Sequence, residues 1–423
     1  MSTQKTYPIV VGKDTFAPNQ QVPESAAFVS ALAFAHRKDI TRCLCEPSRP
    51  VQLVVKHYGS GTKGAHYGLA RWQGTGLDHA LDCQFFSEEV ADSDAGASRP
   101  AFEDLDGGRI RVHLARPLGL AQPGATTQPR HPGKDTPAAS HRQRANDTAL
   151  LFKLWRCANL NIHRGREAGW FNASLRLVHA ASTLVIDRVG NTLEHRLLVG
   201  AEASGRKALA HNAQVLEQAA RAPGRLFVIG RLKVPTTAQQ AKAQFLLPLR
   251  DFAGLPRILV TAQMLHQFLA KRALLQNLLQ RQDGNVVVIC CIEPASREWW
   301  KCIDIAGMAT SRTMIPVESS YEITMADHLV AQSRTFVKPL HADEMRRDED
   351  QRPDFILLDT LPRTVIEVWG MQTDEYLKNK ALRLAKYREK AIPVLSWDAA
   401  RGDALPPLPP VTRPPAPAPG SFT

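Results

Sequence analysis

Hydrophobic positions fall into short runs over the first hundred residues of the chain. "VQLVVKHYG", "HYGLARW" and "GRIRVHLARPL" are strand-like, and Gly and Ser separate them. They predict a small β-rich unit over residues 1–120. Residues 121–146 carry many Pro, Gly, Thr and basic residues without an apolar period, which predicts a flexible linker. Helical spacing then begins. Asp147 can cap "TALLFKLWRCANL", a basic turn leads into "WFNASLRLVHAAS", and "TLVIDRVGNTLEHRLLVG" reads as a strand pair. Over residues 147–205 this is a winged-helix-like order. Generic α+β domains give it too, and that reading is preferred. Residues 206–317 mix helical runs, such as "AQMLHQFLAKRALLQNLLQR", with strand runs, such as "NVVVICCIE" and "EWWKCIDIAG". A last unit covers residues 318–398. Residues 399–423 are Pro-rich and expected to form a disordered tail.

Composition narrows the class. A chain of 423 residues has room for about two to four domains. Its 44% hydrophobic and 22% charged residues are ordinary for a soluble protein with a sizeable core. The formal charge of +12 attracts polyanions, of which nucleic acid is the commonest, although a solvated basic surface gives the same sum. The first residues lack the pattern of a signal peptide, and "NVVVICCI" is too short to span a bilayer. With seven scattered cysteines, the expectation is a cytoplasmic protein without membrane contact, whose thiols are metal ligands, core fillers or nucleophiles.

The segment "RPDFILLDTLPRTVIEVWGM", residues 352–371, is apolar except at its turn, its first residue and two acids, Asp354 and Glu367. If "DFILL" and "TVIEVW" pair antiparallel about a turn at Thr360 and Leu361, Asp354 falls opposite Glu367. Directly paired side chains have Cβ atoms roughly 4.5–5.5 Å apart. Two carboxylates that close repel unless one is protonated or a cation lies between them. Mg²⁺ suits the place, because it prefers oxygen ligands, and it can activate water for phosphodiester cleavage. Exposed strand-end acids need no partner, but Glu367 lies inside "VIEVW", where an unpaired charge is costly.

"RPDF…VIEVWG" resembles the core of the PD-(D/E)xK nuclease superfamily. The resemblance implies a C-terminal restriction-endonuclease-like α/β core, with Asp354 as the Asp of the PD motif and Glu367 as the acid of (D/E)xK. Trp369 stands where that pattern has Lys. Some branches carry "EYWG" or "EFWG" and then a helix with a Tyr–Lys–Lys/Arg–Tyr pattern, and "DEYLKNKALRLAKYREK" is similar to it. Tyr376, Lys380, Arg383 and Tyr387 form one stripe of that helix. The neighbouring stripe of Leu377, Ala381 and Leu384 is expected to pack on the sheet. The resemblance implies Lys380 as the catalytic cation and Arg383 as a phosphate contact; an ordinary charged helix face has the same spacing. It also implies a further acid on the preceding helix, which Glu322 supplies. Ser319-x-x-Glu322 is equally a capping box. Arg352, Arg346, Arg347 and Lys338 are expected near the entrance as phosphate contacts or as a solvated loop.

"RCLCEP" offers Cys43 and Cys45, and "GTGLDHALDC" offers His79 and Cys83. A strand points the first two the same way, and a helix would do so for the second two. Such pairs can close a Cys₃His zinc site of the structural type. Cys157, Cys290, Cys291 and Cys302 lie in apolar runs and read as core residues. "GSGTKG", residues 59–64, lacks the spacing of a phosphate loop and reads as a turn, so no ATPase is expected.

The two ends together resemble an uncharacterised bacterial family often carried on integrative and conjugative elements, with a CxC…GTGxxHxxxC start and an "RPDF…IEVWG…Y…K…YR" end. This implies a mobile-element, DNA-linked setting. The combined expectation is an α+β multidomain protein with an N-terminal zinc module and a nuclease-like C-terminal domain. It would hydrolyse DNA with Mg²⁺, as an endonuclease or exonuclease. The alternative is an inactive DNA-binding or assembly protein that keeps the fold.

Overall fold

The computed structural model describes residues 7–412, except 23, 39, 47–49, 59–65, 73–74, 76–78, 81–82, 86–100, 106–107, 121–143, 166–168, 188, 271, 297, 341–351 and the side chain of 375. The GSGTKG turn, nearly all of the expected linker, Arg346, Arg347 and the last eleven residues lie outside the described residues. The protein is mixed α/β with several sheets, as the sequence led one to expect, and it divides into two compact units, within residues 1–96 and 97–415.

The first unit holds a five-stranded antiparallel sheet. Its order is Asp14–Phe16, Ile9–Val11, Thr41–Cys43, Val51–Tyr58 and His66–Arg71. Val51, Leu53 and Val55 alternate inward along the fourth strand. The helix Ala26–Ala35 adds Phe28, Leu32 and Ala35, spaced for one helical face. Its first turn is capped by Ser25, whose Oγ accepts from the Phe28 amide. Cys43, Cys45 and Cys83 belong to this same small core.

In the second unit a seven-stranded mixed sheet runs Leu197–Val199, Leu226–Leu232, Asn285–Pro294, Trp299–Thr310, Arg257–Thr261 and Gln244–Leu246, with Pro316–Val317 on the far edge of Trp299–Thr310. The strand "NVVVICCIEP" is apolar throughout because both of its faces are covered. Val287, Ile289 and Cys291 face one core, with Leu150, Leu154, Trp155 and Leu177 of two helices, Asp147–Cys157 and Trp170–Ala181. Val286, Val288, Cys290 and Ile292 face another, with Leu265, Phe268, Leu275 and Leu278. Those four come from two helices, Ala262–Ala270 and Ala273–Arg281, not the single helix that the pattern suggests.

A second sheet of this unit runs Val394–Trp397, Thr364–Val368, Phe355–Leu357, Thr335–Val337 and Ile162–Arg164. Its last strand lies between the two helices expected to form a helix-turn-helix, and it pairs with Thr335–Val337. The winged-helix-like order is therefore not realised. Leu405 and Leu408 pack on the core of this sheet, Arg334 Nη1 donates to the Pro409 carbonyl at 2.9 Å, and the Thr412 amide donates to Asp359 O at 3.0 Å. The Pro-rich segment, expected to be disordered from residue 399, is thus docked as far as Thr412.

Asp147 opens the helix Asp147–Cys157, which Asn146 caps. It is buried, and its Oδ2 has no hydrogen-bond partner. Burial first, and then the Asp304 carboxylate, push its carboxyl up to about 6 against the pull of Arg116. An acid that holds its proton more tightly when folded makes stability fall as pH rises through that window. Asp147→Asn is expected to stabilise the protein by up to about 3 kcal/mol at pH 8 and by almost nothing at pH 4, measured by urea unfolding at both pH values.

Candidate functional site

The thiol cluster of the first unit is built by sheet and turn. Cys43 ends the strand Thr41–Cys43, and Cys45 lies in the bend that follows. His79 and Cys83 both lie at bends, with the Cys83 amide bonded to the Ala80 carbonyl at 2.9 Å, rather than on the expected helix. All four residues are buried, and their ligand atoms lie within 4.8 Å of one another. Cys43 Sγ is 3.6 Å from Cys83 Sγ, while His79 Nδ1 is 3.3 Å from Cys45 Sγ and 3.6 Å from Cys83 Sγ. The edges of a tetrahedron about zinc measure roughly 3.5–3.8 Å for these ligand types. Sulfurs 3.6 Å apart are far from the ~2.05 Å of a disulfide. Hydrogen bonds from Cys45 and then Cys83 bring the Cys43 thiol down to about 4 despite burial, and Cys83 is pushed up by its bond to Cys43. The Ala80 amide also donates to Cys45 Sγ at 3.4 Å. The donor set and spacing fit a closed structural zinc site, with the sequence-named residues Cys43, Cys45, His79 and Cys83 as its four ligands.

The acids of the C-terminal sheet meet at the open end of a hairpin. Phe355 pairs with Ile366 and Ile356 with Val365, so the same register sets Asp354 against Glu367 as expected. Glu367 is fully buried. Its Oε2 accepts from Arg383 Nη1 at 2.9 Å and its Oε1 from the Tyr387 hydroxyl at 2.7 Å. Asp354 Oδ2 accepts from the Val368 amide at 2.6 Å. Glu322, on the helix Ser320–Ala331, is buried beside them. The capping reading is partly realised: Ser319 Oγ caps the Glu322 amide at 3.1 Å, and Glu322 Oε2 accepts from the Glu318 amide at 3.0 Å. That same oxygen accepts from Lys338 Nζ at 2.7 Å, and Asp354 Oδ1 lies 3.8 Å from the ammonium.

Lys338 is one of the two cations of this cluster, and it does not lie at the expected entrance. It follows the strand Thr335–Val337 and is only 1% exposed, not at an entrance. Its one sequence signal is a lysine after "TFV", inside an apolar run. Lys380, the expected cation, instead pairs with Asp398 at 2.8 Å and does not reach the acids. Arg383 reaches Glu367 instead of standing ready for phosphate. Arg352 is held by Glu318, with Nη2 at 2.6 and 2.7 Å from its two carboxylate oxygens. The helix Asp374–Glu389 turns its Tyr376–Lys380–Arg383–Tyr387 stripe toward the sheet, while Leu377 and Ala381 of the supposed packing stripe are exposed. The reason is the site itself: Glu367 needs the Arg383 and Tyr387 donors more than the sheet needs small apolar side chains.

Burial raises the pKa of all three acids. For Asp354 and Glu322 the neighbouring carboxylates add to the rise and Lys338 opposes it; for Glu367 Arg383 and Tyr387 oppose it. Burial would lower Lys338, but Glu322, Glu318 and Asp354 outweigh it and hold the ammonium charged. Within the cluster, Glu322, Asp354 and Glu367 carry three negative charges against two positive ones, Lys338 and Arg383. The site lacks one proton or one further cation for balance.

A family model described as "Protein of unknown function (DUF1173)" matches residues 17–400. No curated protein matches the chain, and no solved structure does. Among the described residues, no helix is long and apolar enough to cross a membrane.

Proposed function

The chain belongs to the DUF1173 family, whose description assigns no activity, so we propose a function from the site itself: an Mg²⁺-dependent nuclease that hydrolyses DNA phosphodiester bonds, with a PD-(D/E)xK-type core at its C-terminal sheet. One observation carries this reading. Two acids, the half-buried Asp354 and the fully buried Glu367, are set opposite each other by a hairpin in a cluster one positive charge short of neutrality. The formal charge of +12 supports a polyanionic partner. The resemblance to mobile-element proteins favours DNA as that partner.

In this reading Asp354 and Glu367 hold Mg²⁺, and Glu322 assists by fixing Lys338. Mg²⁺ held there would supply Lewis acidity toward a phosphoryl oxygen and toward water. Lys338 takes the part that the resemblance gave to Lys380, as an ammonium group beside Asp354. Arg383 and Tyr387 lock the Glu367 carboxylate in place through hydrogen bonds to both of its oxygens. Such locking keeps an acid aimed at one point.

A second reading has its own observation. Trp369 occupies the usual lysine position, and Lys338 already pairs with Glu322 and lies beside Asp354 from within. The protein would then be an inactive DNA-binding or assembly module that keeps the fold.

Calorimetric titration with Mn²⁺ or Mg²⁺, paired with plasmid cleavage, decides between the two. The wild type is expected to bind metal and nick DNA. Asp354→Ala is expected to lose the binding heat and roughly 10²–10³-fold of the rate. Equal heats for both proteins, or cleavage that persists in Asp354→Ala, would remove the nuclease reading. Lys338→Met adds a contrast: metal binding that tightens with no cleavage from either protein supports the inactive module.

A further inference from the structure

The second unit has an open cleft of about 740 Å³, separate in its lining from the carboxylate and thiol clusters. Four stretches of chain build it: residues 112–118 at the end of the strand Arg109–Val112, Arg144, residues 186–187 with 191–196, and the end of the helix Arg206–Arg221. Its charged lining is Arg116, Arg144, Arg196, His113, His195 and Asp187. Leu118 and Ile186 supply apolar wall.

The charges of this cleft do not cancel. Asp187 is committed to its own loop: Oδ1 accepts from the amides of Val189, Gly190 and Asn191, and Oδ2 from Asn191 Nδ2. Arg116 is paired with Asp304, His113 with Glu103 and His195 with Glu194. Arg196 donates through Nη1 to the Ala222 carbonyl at 3.3 Å, which leaves the rest of its fork. Among the described residues no acid pairs with Arg144 or Arg196, and the Arg144 side chain is exposed. Two guanidinium groups from distant parts of the chain are thus brought to one hollow without a carboxylate partner among the described residues.

A guanidinium fork matches the paired oxygens of a phosphate better than a point charge does. The volume lies within the range of about 300–1,000 Å³ usual for small-molecule sites and exceeds what a lone inorganic anion fills. The apolar wall gives a flat group such as a nucleobase a surface to lie on. We propose that this cleft binds a nucleotide phosphate ester through Arg144 and Arg196, presented either as a free nucleotide or along a single strand.

The test uses full-length protein without added divalent metal, so that it is independent of cleavage. Fluorescence anisotropy reads binding of a labelled ten-residue oligothymidylate, and AMP is the competitor. The Arg144→Gln/Arg196→Gln double variant is expected to bind at least about tenfold more weakly, with a salt slope lower by roughly 1.4, as two lost single-strand phosphate contacts require. Lys242→Gln, an exposed lysine outside the cleft, is expected to stay within about twofold of wild type. Displacement of the oligonucleotide by AMP assigns the cleft to free nucleotide; competition by unlabelled oligonucleotide alone assigns it to a strand. If the double variant melts early, Arg144→Gln alone decides, with a loss of at least about threefold expected. Wild type that binds neither probe, a variant within twofold of wild type, or an equal loss in Lys242→Gln overturns the proposal.

Discussion

Stripping metal from the Cys43–Cys45–His79–Cys83 cluster is expected to unfold the first unit. The purified protein should carry one zinc per chain, and a strong chelator at neutral pH should release it together with hydrogen-exchange protection in the strands Ile9–Val11, Thr41–Cys43 and Val51–Tyr58. The size of the effect follows from where the ligands sit. Three thiols and an imidazole are buried within a core that otherwise rests on a few side chains such as Ile9, Phe28, Leu32 and Leu53. A small sheet of this kind cannot spare the free energy of a structural zinc, which reaches about 10–16 kcal/mol at pH 7 in zinc-finger peptides. Cys43→Ser should hold less zinc by elemental analysis and lose the same protection. Unchanged zinc in Cys43→Ser, or a chelated protein with intact exchange protection, would mean that these thiols are simple core residues.

Arg334→Ala is expected to destabilise the second unit by about 3–5 kcal/mol, measured by urea unfolding. Arg334 Nε donates to Asp359 Oδ2 at 2.8 Å and Nη2 to Oδ1 at 2.7 Å, a two-pronged pair with both partners nearly inaccessible to water. Removing the guanidinium leaves a buried carboxylate with, among the described residues, the Thr335 amide to answer it. It also frees the Pro409 carbonyl and so loosens the docked Pro-rich segment. The double change Arg334→Met/Asp359→Leu should recover most of the loss, because no charge is then stranded. A loss below about 1 kcal/mol for Arg334→Ala would show that water reaches this pair.

Some of this was legible in the residues themselves. The spacing of Cys43 and Cys45 and of His79 and Cys83 announced a ligand set, because metal binding constrains residue type more than backbone form; the second pair sits at bends, and the set survives. The Asp354–Glu367 pairing was legible because a short hairpin fixes its own register. The period of "NVVVICCIE" announced a strand but not its neighbours. Helical spacing sorted Asp374–Glu389 into stripes, yet it could not say which one faces inward, since that depends on the carboxylate waiting on the sheet.

The sequence by itself therefore determined what local chain geometry can hold: strands, helices, one hairpin register and four metal-ligand candidates. Only the tertiary structure decided that Lys338, Arg383 and Tyr387 surround the acids, that Lys380 goes to Asp398, and that Ile162–Arg164 leaves its neighbouring helices to join a distant sheet. Periodicity is a property of neighbours along the chain. The partner of a buried charge is chosen by desolvation and by what the fold brings within hydrogen-bonding reach.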